Sequence, residues 1–278
     1  MAEITADIVK KLRDATTVSM MECKRALVET NGDIEKATKL LRERGMAVSA
    51  KRADKAANQG IIAASTTADG LTGALVEVNC ETDFVARNTA FQAFVKKAAE
   101  KAIATDGPIA DQMKDDLGAQ MAAIGENIIL RRNVRFICKG NGMVGTYIHM
   151  GGKVGVLVEV GCTKPETSAS ETFKQLVKDL TLHVAACTPR YLVPENIPAA
   201  ELQSEREIYA KQVTDKPANI VDKIVDGKLK KFFTEICFVE QMFVKEQKVS
   251  VKQLLVDTGK ALGDTLEIRR YVRYQLGE

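Results

Sequence analysis

Histidine is nearly missing from this chain: His149 and His183 are the only two in 278 residues. The six cysteines (Cys23, Cys80, Cys138, Cys162, Cys187 and Cys237) are scattered, with no C-x-x-C among them. That is poor material for a zinc site and ordinary for reduced thiols buried as small hydrophobes. Neither histidine has a Ser or Cys beside it in a recognisable nucleophile arrangement, so no enzyme activity, bound metal or cofactor is expected. No apolar run approaches the ~18–20 residues that span a bilayer. The start, Met1-Ala2-Glu3-Ile4-Thr5, has neither a basic n-region nor an apolar h-region. A cytoplasmic protein without membrane contact is the expectation. A large charge excess is also missing: 40 basic against 37 acidic residues leave +3, too mild to imply nucleic acid.

Two glycine motifs lack their context. Gly140-Asn141-Gly142-Met143-Val144-Gly145 fits G-x-G-x-x-G but precedes a strand pattern instead of opening a helix. Gly151-Gly152-Lys153 is followed by Val154, with no Ser or Thr for magnesium, so it is no P-loop.

What is present begins with three short helical patterns in residues 1–55. Thr5 can cap a helix carrying Ile8, Val9 and Leu12 on one face. Ser19-Met20-Met21-Glu22 is a capping box, opening a helix that turns Cys23, Ala26 and Leu27 inward and stops at Asn31-Gly32. Asp33 caps a third, with Ile34, Ala37, Leu40 and Leu41 in register until Gly45. Adjacent Met20 and Met21 diverge by about 100°, so at most one points squarely into so thin a core. Ala47 to Asn58, with Lys51, Arg52 and Lys55, reads as a charged helix end and tether, since no aromatic interleaves the charges.

The body of the chain is an internal repeat. Gly60, Gly70, Gly73, Leu75-Val76-Glu77-Val78, Cys80, Phe91, Val95 and Lys96 recur as Gly142, Gly152, Gly155, Leu157-Val158-Glu159-Val160, Cys162, Phe173, Val177 and Lys178, a constant offset of 82. Ile124-Gly125-Glu126-Asn127 to Arg131-Arg132 parallels Leu262-Gly263-Asp264-Thr265 to Arg269-Arg270 at an offset of 138, so 56 residues are inserted in the second copy. Each copy reads as a hairpin, a helix and a closing strand: small antiparallel sheets with helices, an α+β class. The copies are expected at 56–140 and 141–278. The insertion, about 188–240, reads as a coiled-coil helical hairpin turning at Thr214-Asp215-Lys216-Pro217, packing mostly on itself. Projecting, it offers a surface for a partner or a second copy of the chain.

One stretch separates the copies. Glu81-Thr82-Asp83-Phe84-Val85-Ala86-Arg87-Asn88 links strand to helix, and Thr82, Asp83 or Asn88 can serve as a helix cap with Phe84 in the core. The second copy keeps the length and the framework but has Glu166 and Thr167 at the positions of Phe84 and Val85. An apolar pair needed only for folding is expected in both copies. Its presence in one points to a site on the first-copy loop.

Ile4-Thr5 to Leu12, Met20-Met21-x-Cys23-Lys24-x-Ala26-Leu27, Asn31-Gly32-Asp33, Val78 to Asn88, Ile124-Gly125-Glu126-Asn127 and His183-Val184-Ala185-Ala186 together resemble the elongation factor Ts family over nearly the whole length. The resemblance implies a three-helix domain like ubiquitin-associated domains, two similar core subdomains and the coiled-coil hairpin. It implies guanine nucleotide exchange on the GTPase elongation factor Tu, with Thr82, Asp83, Phe84 and Val85 approaching the partner's magnesium and the aromatic acting as a wedge. It assigns further partner contacts to Leu12, Met20, Met21 and Lys24, and another to His149. Some relatives extend past the final strand with a helix where this sequence ends at Tyr274-Gln275-Leu276-Gly277-Glu278, so that helix's contacts are not carried over. The competing reading is a nucleic-acid-associated module using Lys51, Arg52, Lys55, Arg131 and Arg132. Direct nucleic-acid binding is not expected under the first reading.

Overall fold

A computed structural model of the chain describes residues 4–16, 18, 20–52, 54–213 and 217–278, the side chains of 46–52, 218 and 219 excepted. Ser19 and the Thr214-Asp215-Lys216 turn therefore lie outside the described residues.

Three helices come first: α1 (Ala6–Thr16), α2 (Met20–Glu29) and α3 (Ile34–Arg52). Val9, Leu12, Cys23, Ala26, Leu27, Ala37 and Leu41 form their small core. The stop after α2 is chemical: Asn31 and Gly32 take left-handed φ of 52° and 85°, and the Gly32 N–H donates to the Leu27 carbonyl at 2.8 Å. The Asp33 carboxylate then accepts the Lys36 N–H at 3.0 Å, capping α3. The expected stop at Gly45 does not occur, and α3 continues to Arg52. Gly45 serves close approach instead. A Cβ there would sit 2.9 Å from the Gly118 carbonyl oxygen of the helix crossing it.

The first half of the core holds β1 (Gln59–Thr66), β2 (Thr72–Cys80), α4 (Asp83–Ala86), α5 (Thr89–Ala104), α6 (Lys114–Ile124) and β3 (Ile128–Ile137). The second holds β4 (Gly142–His149), β5 (Val154–Cys162), α7 (Pro165–Ala169), α8 (Glu171–Cys187), α9 (Ala199–Lys211), α10 (Ala218–Ile236), β6 (Met242–Phe243), β7 (Glu246–Ser250), α11 (Val251–Leu262) and β8 (Leu266–Gln275). The sheets run β1-β2-β3 and β4-β5-β8, antiparallel throughout. Even the bulges coincide, at Glu77/Val78 and Glu159/Val160.

The central strands are buried on both faces, one against their own helix and one against the other sheet. That explains their unbroken apolar runs, where a half-exposed strand would alternate. The contact between sheets is self-complementary in the manner of a two-fold dimer interface. Its buried members are Ile62 with Val144, Leu75 with Leu157 and Phe136 with Tyr274, each pair equivalent by the repeat. The Ile62 N–H donates to the Gly152 carbonyl at 2.7 Å, and its counterpart Val144 to Gly70 at 2.9 Å. A Cβ on Gly73 or Gly155 would come within 2.7 Å of Val144 or 2.4 Å of Ile62, so glycine recurs where the sheets touch.

Glu77 and Glu159 are buried carboxylates, and each is neutralised by two arginines. Arg131 and Arg132 reach Glu77 at 3.0 and 2.6 Å, and Arg132 also lies 4.0 Å over the Tyr274 ring. Arg269 and Arg270 reach Glu159 at 3.5 and 2.6 Å, with Arg270 4.1 Å over Phe136. Arg131 and Arg132 are thus committed to a buried charge and a ring, which corrects their assignment to a nucleic-acid patch. The side chains of Lys51 and Arg52 lie outside the described ones, and Lys55 is exposed.

The inserted hairpin has its own cluster of Val225, Leu229, Phe232 and Ile236 with Leu202, Tyr209 and Val221 packed on it. Its root is tied to the second half, where Phe238 N–H donates to the Tyr191 carbonyl at 2.8 Å. Among the described residues no helix is long and apolar enough to cross a membrane.

Candidate functional site

The stretch after β2 folds as a capped one-turn helix, α4, followed at once by the cap of the long helix α5. Thr82 caps α4, its hydroxyl oxygen accepting the Val85 N–H at 3.3 Å, and Asn88 caps α5 by accepting from Ala90 N–H at 2.8 Å. Asp83 caps nothing. It pairs with Arg87 one turn on at 3.1 Å, an exposed pair of small energetic weight.

Glu126, in the connection between α6 and β3, braces this segment from behind. Its carboxylate accepts the N–H groups of Glu81 and Thr82 at 3.1 and 3.0 Å and the Thr82 hydroxyl at 2.6 Å. The Glu81 carboxylate answers by accepting the Asn127 N–H at 2.6 Å. Asp264 plays the same part in the second half, accepting from Thr163 N–H and hydroxyl and from Lys164 N–H. Desolvation pushes the Asp264 carboxyl up, but the donated hydrogen bonds outweigh it and hold the group well below the usual carboxylate range. Sequence reasoning did not single out Glu126 or Asp264, although the acidic residue repeated at an offset of 138 was there to be noticed.

On this braced helix Phe84 is 81% exposed. Val85 is half-buried and packs against the first-half core. Its counterpart Thr167 is buried, so this position belongs to the framework in both copies, which corrects the pairing of Val85 with Phe84. Cys80 beneath is chemically quiet: burial first, and then the Glu126 carboxylate, push its thiol up to about 12. Phe84 opens onto a cleft of about 780 Å³ lined from both halves, with Thr82, Asp83 and Arg87 on one side of the sequence and Met150 and Lys153 on the other.

The remaining expected residues fall elsewhere. Leu12 has no exposed surface, a correction: it is core of the three-helix unit and cannot touch a partner in this conformation. Met20 and Met21 are 42% and 61% exposed, so neither points fully inward. Together with exposed Lys24, and with Val28, which the sequence reading passed over, they form one edge of α2. His149 is exposed, its Nδ1 3.0 Å from the Tyr147 hydroxyl, beside a small apolar pocket that includes Leu182 and Lys245. His183 is buried, its Nδ1 accepting from Val244 N–H at 3.1 Å and its Nε2 facing Gln241 Oε1 at 3.0 Å. Burial lowers its pKa against the opposing hydrogen bond, so the ring is neutral at neutral pH. Among the described residues no group of three or more His, Cys, Asp or Glu is arranged to hold a metal ion.

The geometry is that of a contact surface: an exposed aromatic on a helix whose first residues Glu126 braces, with the neighbouring Asp83 carboxylate paired to Arg87. Comparison with known proteins gives that surface a family. A family model described as elongation factor Ts matches residues 81–278. The chain is 41% identical to elongation factor Ts of Trichlorobacter lovleyi, the match covering 99% of this chain and 93% of that protein. It is 44% identical to that of Nitratiruptor sp. (99% and 93%) and 42% identical to that of Clostridioides difficile (100% and 94%). A likeness of this extent, carried through both core halves, the inserted hairpin and the three leading helices, means that the chain belongs to the elongation factor Ts family of translation elongation factors.

Proposed function

We propose that the chain is a guanine nucleotide exchange factor that binds elongation factor Tu in the cytoplasm and releases its GDP by disturbing the magnesium site, with Phe84 as the wedge. The observation that carries this reading is the 81% exposure of Phe84 on a helix braced by Glu126. A side chain already outside its own core can enter a partner at no cost to its own fold. A braced helix keeps it in place when it meets resistance. Magnesium is among the largest local charges holding nucleotide phosphates, so displacing it weakens GDP without any group on this chain gaining or losing a proton. Coupling of this kind is reciprocal: the factor by which this protein weakens GDP equals the factor by which GDP weakens this protein. Met20, Met21 and Lys24 on α2, and His149 at the end of β4, supply further contacts that hold the partner while the wedge acts.

Phe84→Ala tests it. Stability should change by under about 0.5 kcal/mol, as for a surface substitution. Release of labelled GDP should slow about tenfold or more, the equivalent of ~1.4 kcal/mol, with a smaller loss of affinity for nucleotide-free partner. A folded variant that releases GDP at the wild-type rate ends the wedge mechanism.

A further inference from the structure

Phe84 has company on its cleft. Met150, at the tip of the turn between β4 and β5, is 65% exposed and lines the same cleft. Its backbone has φ of 50°, followed by Gly151 at 65° and Gly152 at 95°, three left-handed residues in a row. Methionine rarely adopts that conformation, and such a backbone persists only where the surrounding structure holds it. The turn is pinned: Gly152 N–H and Lys153 N–H donate to the His149 carbonyl at 3.2 and 3.1 Å, and the Gly152 carbonyl accepts from Ile62 of the other half.

The two-fold likeness of the halves supplies an internal control. It carries the α4 segment onto α7 and the Met150 turn onto the turn at Ala68 and Asp69, where only Gly70 is left-handed. The positions equivalent to Phe84 and Met150 therefore hold Glu166 and Ala68. Both large apolar side chains have been placed at one of two equivalent sites, and neither completes a core. Folding asks for neither; a partner on that one face asks for both.

We infer that Met150 is a second apolar contact, meeting the same element of the GTPase that Phe84 enters, so that the two side chains from opposite halves act as one bipartite edge. This rests on the exchange reading above. The test is a double-mutant cycle of Phe84→Ala and Met150→Asn, Asn being a residue that tolerates left-handed φ and so keeps the turn. Affinity for nucleotide-free elongation factor Tu, GDP release and thermal unfolding are measured for each. Met150→Asn should weaken binding roughly three- to tenfold, the scale of an ordinary interface contact, with unchanged unfolding. The double variant should lose less than the product of the single losses, because neighbours on one surface couple. Glu166→Ala, at the position equivalent to Phe84, should change neither binding nor release. If Met150→Asn lowers the unfolding temperature, Met150→Gly, which suits the same φ, is measured in its place. Wild-type binding by either folded variant, with Phe84→Ala impaired, overturns the inference and leaves the exchange reading standing. Single losses that simply multiply assign the two side chains to separate surfaces and overturn it as well. If the wild-type chain does not release GDP, both readings fall.

Discussion

At equivalent positions of the two core halves, Phe84 stands exposed on α4 and Glu166 stands exposed on α7, while Val85 and Thr167 both turn inward. Glu126 and Asp264 brace the two segments through the same backbone groups. Glu77 and Glu159 sit buried under matching arginine pairs. One framework has been built twice, and its copies differ at the outward positions. Folding energy constrains a position only where it is buried, so the exposed differences are where a second requirement can be read.

The largest expected effect tests the sameness of the frameworks. Glu77→Ala and Glu159→Ala should each cost about 3–5 kcal/mol, because each strands two arginines over a buried site. Denaturant unfolding that finds one severe and the other mild breaks the equivalence. A smaller effect sharpens the difference. Glu126→Ala and Asp264→Ala each leave two backbone N–H groups and a hydroxyl without their acceptor, costing about 1–3 kcal/mol. Only Glu126→Ala should also slow GDP release, since only its segment presents Phe84. Equal release by the two variants would mean that the brace does not serve the wedge.

The smallest effect concerns pH. His183 is buried in α8, whereas its equivalent in α5 is exposed Lys101. Burial lowers the folded pKa of His183, so below about pH 6.5 the unfolded chain binds more protons than the folded one. The stability contributed by this residue is full above that pH and is lost as pH falls through it. Amide exchange, corrected for intrinsic rates, should show α8 losing protection between pH 7.5 and 5.5 more than α5 does. Parallel behaviour of the two helices would remove His183 as the cause.

Much of this was legible in the residues alone. The repeat at offsets of 82 and 138 predicts two like sheets, and the strand orders, registers and bulges agree with it. Periodicity found the helices, because 3.6-residue spacing leaves a plain trace in an amphipathic sequence. It erred at Gly45, where a local stop signal was in fact a crossing point with Gly118 on a helix more than seventy residues away. At Leu12 periodicity was right, since it put the residue on one face with Ile8 and Val9; the partner contact there came from the family resemblance, and the side chain is fully buried. The basic residues Arg131 and Arg132 counted as free charge until Glu77 was found beneath them.

By itself, then, the sequence determined the duplication, the class of fold, the family and the segment that sets one half apart, because these reside in spacing and in residue types compared along the chain. Which side chain of that segment faces outward was decided only in three dimensions. Phe84 and Val85 are neighbours with similar hydrophobicity, and the direction of each depends on how Glu126, remote in sequence, seats α4 against the first-half core. That Phe84 and Met150 line one cleft is likewise invisible in one dimension, since it follows only from two sheets packing across a pseudo-two-fold contact.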